Sequence, residues 1–214
     1  VFVGALLYGM TQRVDLKDVR TVKMALVQQN VDPWIGGIRS YTDSLDASLE
    51  LSSAVHAEHP DVEMVVWSET SFVPSINFHT NTRTNPESYA LVARLMDYLK
   101  DQSVPYVIGN GDRHFRKNAY GELETYDYNA VVLIEDGEIQ ETYRKTHLVP
   151  FTEHFPYRRQ FPWFYQTLVD NNVTFWEAGR EYVVFDAAGV KFSTPICFED
   201  SFGYLNRRFV NEGA

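Results

Sequence analysis

The segment VEMVVWSET, residues 62–70, is an apolar run that ends on a carboxylate. A short continuous stretch of β-branched and aromatic residues reads as a strand buried on both faces of a sheet, and Glu69 falls at its carboxyl end. Upstream, TVKMALVQQN (21–30) reads as another buried strand leading into the turn-rich VDPWIGG, and 41–59 as a helix with Leu45, Leu49, Ser52 and Val55 roughly on one face. Downstream, a polar loop, NFHTNTRTNP, precedes a helix with Asn85 as N-cap and Pro86 as first helical residue. Leu91, Leu95, Tyr98 and Leu99 form its apolar face. VPYVIGNGD (104–112) reads as a third strand ending in a glycine-containing turn, and YNAVVLIEDGEIQETYRK (128–145) as a hairpin turning at Asp136-Gly137. HLVPFTEHFPYRRQFPWFYQTLV is an aromatic-rich loop or irregular helix; GREYVVFDAAGVKFSTPICF supplies two more strands, and EDSFGYLNRRFVNEGA a helix with an acidic start. Strands that alternate with helices early and pair through hairpins later predict an α/β layered fold with a mixed sheet.

Composition narrows the function. The 214 residues, 44% hydrophobic and 22% charged, suit a globular chain of one large or two small domains. A formal net charge of −10 disfavours nucleic acid as the main partner, because phosphate binding needs a basic footprint. The single cysteine, Cys197, cannot form an internal disulfide or a multi-cysteine zinc site. GNGD lacks the Lys-Ser/Thr of a phosphate loop, and His147 and His154 make no helix-spaced pair with a carboxylate, so neither a nucleotide cradle nor a metal site is expected.

Glu69, Lys145 and Cys197 each fall at the end of an expected strand, where functional side chains gather in α/β sheets. A free thiol is only a few per cent ionised at neutral pH and needs a base or a cationic neighbour. A carboxylate can take the proton, an ammonium can hold both the thiolate and the oxyanion of a tetrahedral intermediate, and a following helix start favours the anion. Together the three would make an acyl-transfer site. Each also has a plainer reading, since lone cysteines in apolar strands more often pack than react, and strand-end Glu and Lys are usually solvated.

VVWSET, YRKTHLVPFTEHFP and TPICFEDSF, in this order, resemble the nitrilase (carbon–nitrogen hydrolase) superfamily from about residue 22 to the end, and HLVPFTEHFP resembles its apolipoprotein N-acyltransferase branch. The resemblance implies an α-β-β-α sandwich, incomplete at the C-terminal end because a further sheet and helix should follow NEGA. It implies Glu69 as general base, Lys145 as stabiliser of oxyanion and thiolate, and Cys197 as nucleophile, with Glu153, Glu199 and Asn129 in support. It implies no cofactor. The reaction it implies moves a fatty acyl chain from a phospholipid, through a cysteine thioester, to the N-terminal diacylglyceryl-cysteine of a lipoprotein, on the periplasmic side of a bacterial inner membrane. The chain departs from the family's pattern at Ser68 and Thr70, which stand where Pro and Ser are usual, at Phe198 for the usual Tyr, and at Thr152 for a common Gly. None of these removes a reacting group. Two alternatives remain open: a soluble amidase or nitrilase that hands its acyl group to water, and an interaction domain that keeps the fold without the activity.

Two segments bear on a membrane. VFVGALLYGM (1–10) is about half a membrane span and reads as the tail of a transmembrane helix, followed by a polar linker over 11–21 and the catalytic domain over 22–214. FTEHFPYRRQFPWFY (151–165) carries seven aromatics in fifteen positions, several times the chain-wide 14%. Phe155, Tyr157, Trp163 and Phe164, with Arg158 and Arg159 among them, suit a membrane interface or acyl-chain contact, and a hydrophobic cluster under a long loop is the competing reading.

Overall fold

The computed structural model describes every residue except 13–16, 18, 34, 118–120 and 172. Residues 13–16 and 18 of the expected 11–21 linker therefore lie outside the described residues, as does Trp34 of VDPWIGG. Five strands form one sheet in the order β1 (Met24–Val27), β2 (Met64–Trp67), β3 (Tyr106–Lys117), β4 (Leu123–Glu135) and β5 (Glu138–Arg144). The first three are parallel, and β3, β4 and β5 form an antiparallel meander, so the sheet is mixed as expected.

Alternation along the strands splits the core between two faces. Val65, Trp67, Tyr106, Ile108, Val132 and Ile134 join a cluster beneath helices α2 (Ile38–Glu58) and α4 (Pro86–Lys100). Met64, Val107, Val131, Leu133 and Tyr143 join a second cluster with Phe185 of the hairpin β6 (Phe185–Ala187)–β7 (Val190–Phe192) and with Leu205 and Phe209 of α6 (Gly203–Asn211). The apolar continuity of VEMVVWSET has this cause: its strand is covered on both sides. Helix α4 begins as its sequence prescribes, with the Asn85 side chain accepting from Ser88 N and Pro86 in the first turn. Asp136 and Gly137 both adopt positive φ, the geometry of a two-residue hairpin turn.

Three expectations are corrected. GNGD is not a turn: β3 runs through it to Lys117 and pairs with β4 from Leu123, so the hairpin arm starts earlier than Tyr128. TVKMALVQQN is not buried throughout: β1 is an edge strand with Val27 in the core and Leu26 exposed. The loop after β2 carries a short helix, α3 (Ile76–Asn81), held to β3 by the buried Asn110, which accepts from Ile76 N and donates to the Phe72 and Pro74 carbonyls. The expected apolar opening forms helix α1 (Phe2–Thr11), which buries none of its side chains. Among the described residues no helix is long and apolar enough to cross a membrane.

Candidate active site

Lys145 follows the last residue of β5 and is fully buried. A buried ammonium is tolerated only when paired, and its Nζ donates to Glu153 Oε1 at 2.8 Å and lies 3.8 Å from Glu69 Oε1. Glu69 sits two residues past β2, half-exposed, and accepts from Asn129 Nδ2 at 2.8 Å. Asn129 on β4 is buried, and its carbonyl accepts from Lys145 N at 2.8 Å, so one ladder of the meander sets both the cation and the group that orients the carboxylate. The other oxygen of Glu153 accepts from Val149 N, which fixes that carboxylate within its own turn. Glu69, Asn129 and Glu153 line a cleft of about 480 Å³ with Thr152, Thr174 and Trp176.

Two glycines make this assembly possible: Gly109, which the sequence reading assigned to a turn, and Gly179, which it did not single out. A Cβ on Gly109 would collide with the Ser68 carbonyl and come within 2.7 Å of Glu69 Cα, so only glycine lets the Glu69 turn lie on β3. A Cβ on Gly179 would collide with the Arg144 carbonyl, and Gly179 N donates to the Lys145 carbonyl at 2.7 Å. A glycine inside a strand pattern is the available signal of such close approach, and GNG displays it.

Cys197 does not close a strand. β7 ends at Phe192, and Cys197 opens a 3₁₀ turn, Cys197–Ser201, ahead of α6. Its backbone is left-handed at φ 50°, a conformation that costs a non-glycine residue about 1–2 kcal/mol, and its thiol is exposed. The expected acidic helix start also falls in this turn, not in the first turn of α6. Glu199 is fully buried and holds the turn in place. It accepts from Ile196 N, one residue before the cysteine, and from Thr146 N, Thr146 Oγ1 and His147 N, directly after Lys145. Tyr143 donates a fifth bond, at 2.8 Å; burial pushes its hydroxyl above the ordinary phenol range, so it stays a donor. The Cys197 turn is thus tied to the segment that carries Lys145, through a carboxylate that is structural. Replacing Glu199 by Gln puts an NH₂ group where an oxygen receives N–H donors; the expected loss is about 1–3 kcal/mol of stability, measured by urea denaturation. Wild-type stability of that variant would remove the clamp.

The four aromatic positions expected at a membrane or acyl chain lie apart from the cleft lining. Trp163, Phe164 and Tyr157 are exposed, and Phe155 is partly buried between Phe151, Tyr157 and Phe164 at centroid distances of 5.6–6.2 Å. Trp163 and Phe164 belong to helix α5 (Pro162–Asp170), which buries none of its residues. The rings touch one another and remain largely exposed. No group of three His, Cys, Asp or Glu placed to hold a metal occurs among the described residues.

Comparison with known proteins places these residues in a family context. The carbon–nitrogen hydrolase profile matches residues 23–214. Apolipoprotein N-acyltransferase 1 of Treponema pallidum is 46% identical over 90% of this chain and 36% of its own length; the protein of the same name from Treponema denticola is 42% identical over the whole of this chain and 41% of its own. The chain thus spans about two fifths or less of these curated relatives. Among solved structures, an amidase from Nesterenkonia sp. superposes with a TM-score of 0.58 at 16% identity, over 94% of this chain and 65% of that one. A carbon–nitrogen hydrolase from Helicobacter pylori does so with 0.56 at 17%, over 90% and 57%. At such identities the likeness concerns the fold, an α/β fold of nitrilase type.

Proposed function

The chain belongs to the carbon–nitrogen hydrolase family, and from that premise we propose that it is the catalytic part of an apolipoprotein N-acyltransferase working through a Cys197 thioester. The observation that carries this reading is the fully buried Lys145 ammonium held between Glu153 and Glu69. A cation fixed at that desolvation cost is preorganised for a charge that appears during reaction.

Glu69 takes the thiol proton of Cys197 as the sulfur attacks the ester carbonyl of a phospholipid. The carbon–sulfur bond forms, the carbon–oxygen bond breaks, and the lysophospholipid oxygen leaves with the proton returned by Glu69. The α-amine of a diacylglyceryl-cysteine then attacks the thioester carbonyl. The carbon–nitrogen bond forms, the carbon–sulfur bond breaks, and Glu69 carries the amine proton to the departing sulfur, which restores the Cys197 thiol. Lys145 neutralises the thiolate and the tetrahedral oxyanion in both halves. Asn129 and Glu153 orient Glu69 and Lys145, and Glu199 holds the nucleophile's turn. The exposed Tyr157, Trp163 and Phe164, with Phe155 behind them, form a ring patch suited to the headgroup depth of a bilayer, consistent with a domain working at the periplasmic face of an inner membrane. The names of the relatives support the lipid donor and the lipoprotein acceptor as substrates.

Intact mass of the full-length protein, after incubation with phosphatidylethanolamine in detergent and an acid quench, will show a fatty-acyl addition. It will be removed by neutral hydroxylamine and absent from Cys197→Ala. An adduct from small amides but none from lipid would assign the chain to the hydrolases that use water as acceptor.

A further inference from the structure

A second cavity, of about 550 Å³, adjoins the cleft that holds Glu69, and the two share Thr174 and Trp176 in their walls. The β3–β4 ribbon makes the connection. Gly111 pairs with Asn129, Arg113 with Asp127 and Phe115 with Thr125. Side chains two apart share a face, so Asn129, which points to Glu69, begins a row that passes Gly111, Arg113 and Asp127 and ends at Phe115. From Gly111 to Phe115 the ribbon advances about 13 Å, beyond the reach of a short acyl group. The missing side chain at Gly111 leaves the row open at its start; a Cβ there would already stand 3.1 Å from the Val73 carbonyl and 3.8 Å from the Trp176 ring.

The walls suit hydrocarbon better than a headgroup. Tyr41, Phe78, Phe115, Phe175 and Trp176 line the cavity. Its charged pair is mutually satisfied, with Arg113 Nε and Nη2 on the two Asp127 oxygens at 2.6 and 3.0 Å. Ser75 Oγ receives Arg113 N and Phe78 N, and Asn85 Oδ1 receives Ser88 N. His79 is buried with no partner for its Nδ1 among the described residues, and desolvation together with Arg113 holds its imidazole below the ordinary range.

We propose that this cavity receives the distal part of the acyl chain carried by Cys197, with Thr174 at its entrance and Phe115 at its far end, and so sets the preference for long-chain donors. The inference rests on the thioester reading above. Thr174 is exposed and lines both cavities, so a large side chain there plugs the junction at little cost to folding. The test is single-turnover acylation of the full-length protein by p-nitrophenyl butyrate and p-nitrophenyl palmitate in detergent, followed by release of p-nitrophenolate. Phe115→Glu, at the exposed far end of the cavity and outside the cleft that holds Glu69, is expected to slow palmitate at least about tenfold, the scale on which an apolar pocket discriminates, and to leave butyrate within about twofold. Thr174→Trp, at the shared junction, is expected to slow both esters, palmitate the more. Equal effects on both esters, or none on either, overturn the cavity assignment while the thioester stands. Failure of the wild type to release p-nitrophenolate with either ester overturns both.

Discussion

Lys145→Met will stop acyl-enzyme formation and destabilise the protein together. The ammonium is fully buried, 2.8 Å from Glu153 and 3.8 Å from Glu69. Removing one member of a buried pair leaves an uncompensated charge, at about 3–5 kcal/mol. Removing a preorganised oxyanion partner costs about 10²–10³ in rate. The two losses separate in the double variant Lys145→Met/Glu153→Gln. Its neutral amide needs no counter-charge, and its retained oxygen can still accept from Val149 N. Urea denaturation should show most of the lost stability restored, while single-turnover acylation stays as slow as in Lys145→Met. Full recovery of acylation in the double variant would remove Lys145 from the chemistry and leave it a structural counter-ion.

Gly109→Ala is expected to reduce acylation by about a hundredfold, the scale set by a 1 Å misplacement of a reacting group, although residue 109 carries no functional group. The added methyl would meet the Ser68 carbonyl, Glu69 Cα and Thr70 N, all backbone atoms that no rotamer change can clear. The Glu69 turn must lift from β3, and the Asn129–Glu69 bond of 2.8 Å stretches with it. Gly203→Ala is the control, because nothing lies within 4 Å of its Cβ position. Acylation at the wild-type rate in Gly109→Ala would show that the turn accommodates the methyl without moving Glu69.

Local chemistry was the legible part of this sequence. Asn85-Pro86 announces a helix start and Asp136-Gly137 a hairpin turn, because caps and turns are decided by residues a few positions apart. The same rule misled at GNGD. Glycines there are selected by what lies against β3, the Glu69 turn, and a contact 40 positions away has no local signature. Lys145 and Glu199 show the limit from another side. Solvation is the plainer reading of a strand-end lysine, and nothing near Glu199 in the chain marks it as buried, yet both are fully buried. Their burial depends on partners at 153 and at 143–147 that only the fold assembles. The aromatic density of 151–165 was plain in the sequence, whereas its exposure, with the rings on one another instead of on the core, was not.

The left-handed backbone at Cys197 has an evolutionary consequence. Glycine is the residue that relieves such a conformation most fully, and a cysteine codon becomes a glycine codon by one base change. For the reading proposed here, that single step exchanges the nucleophile for a fold more stable by up to about 1–2 kcal/mol. Mutational drift toward stability therefore runs downhill into an inert protein, and only selection for the reaction holds the thiol in place. Lineages released from that selection should accumulate glycine at 197 before they lose the surrounding carboxylates.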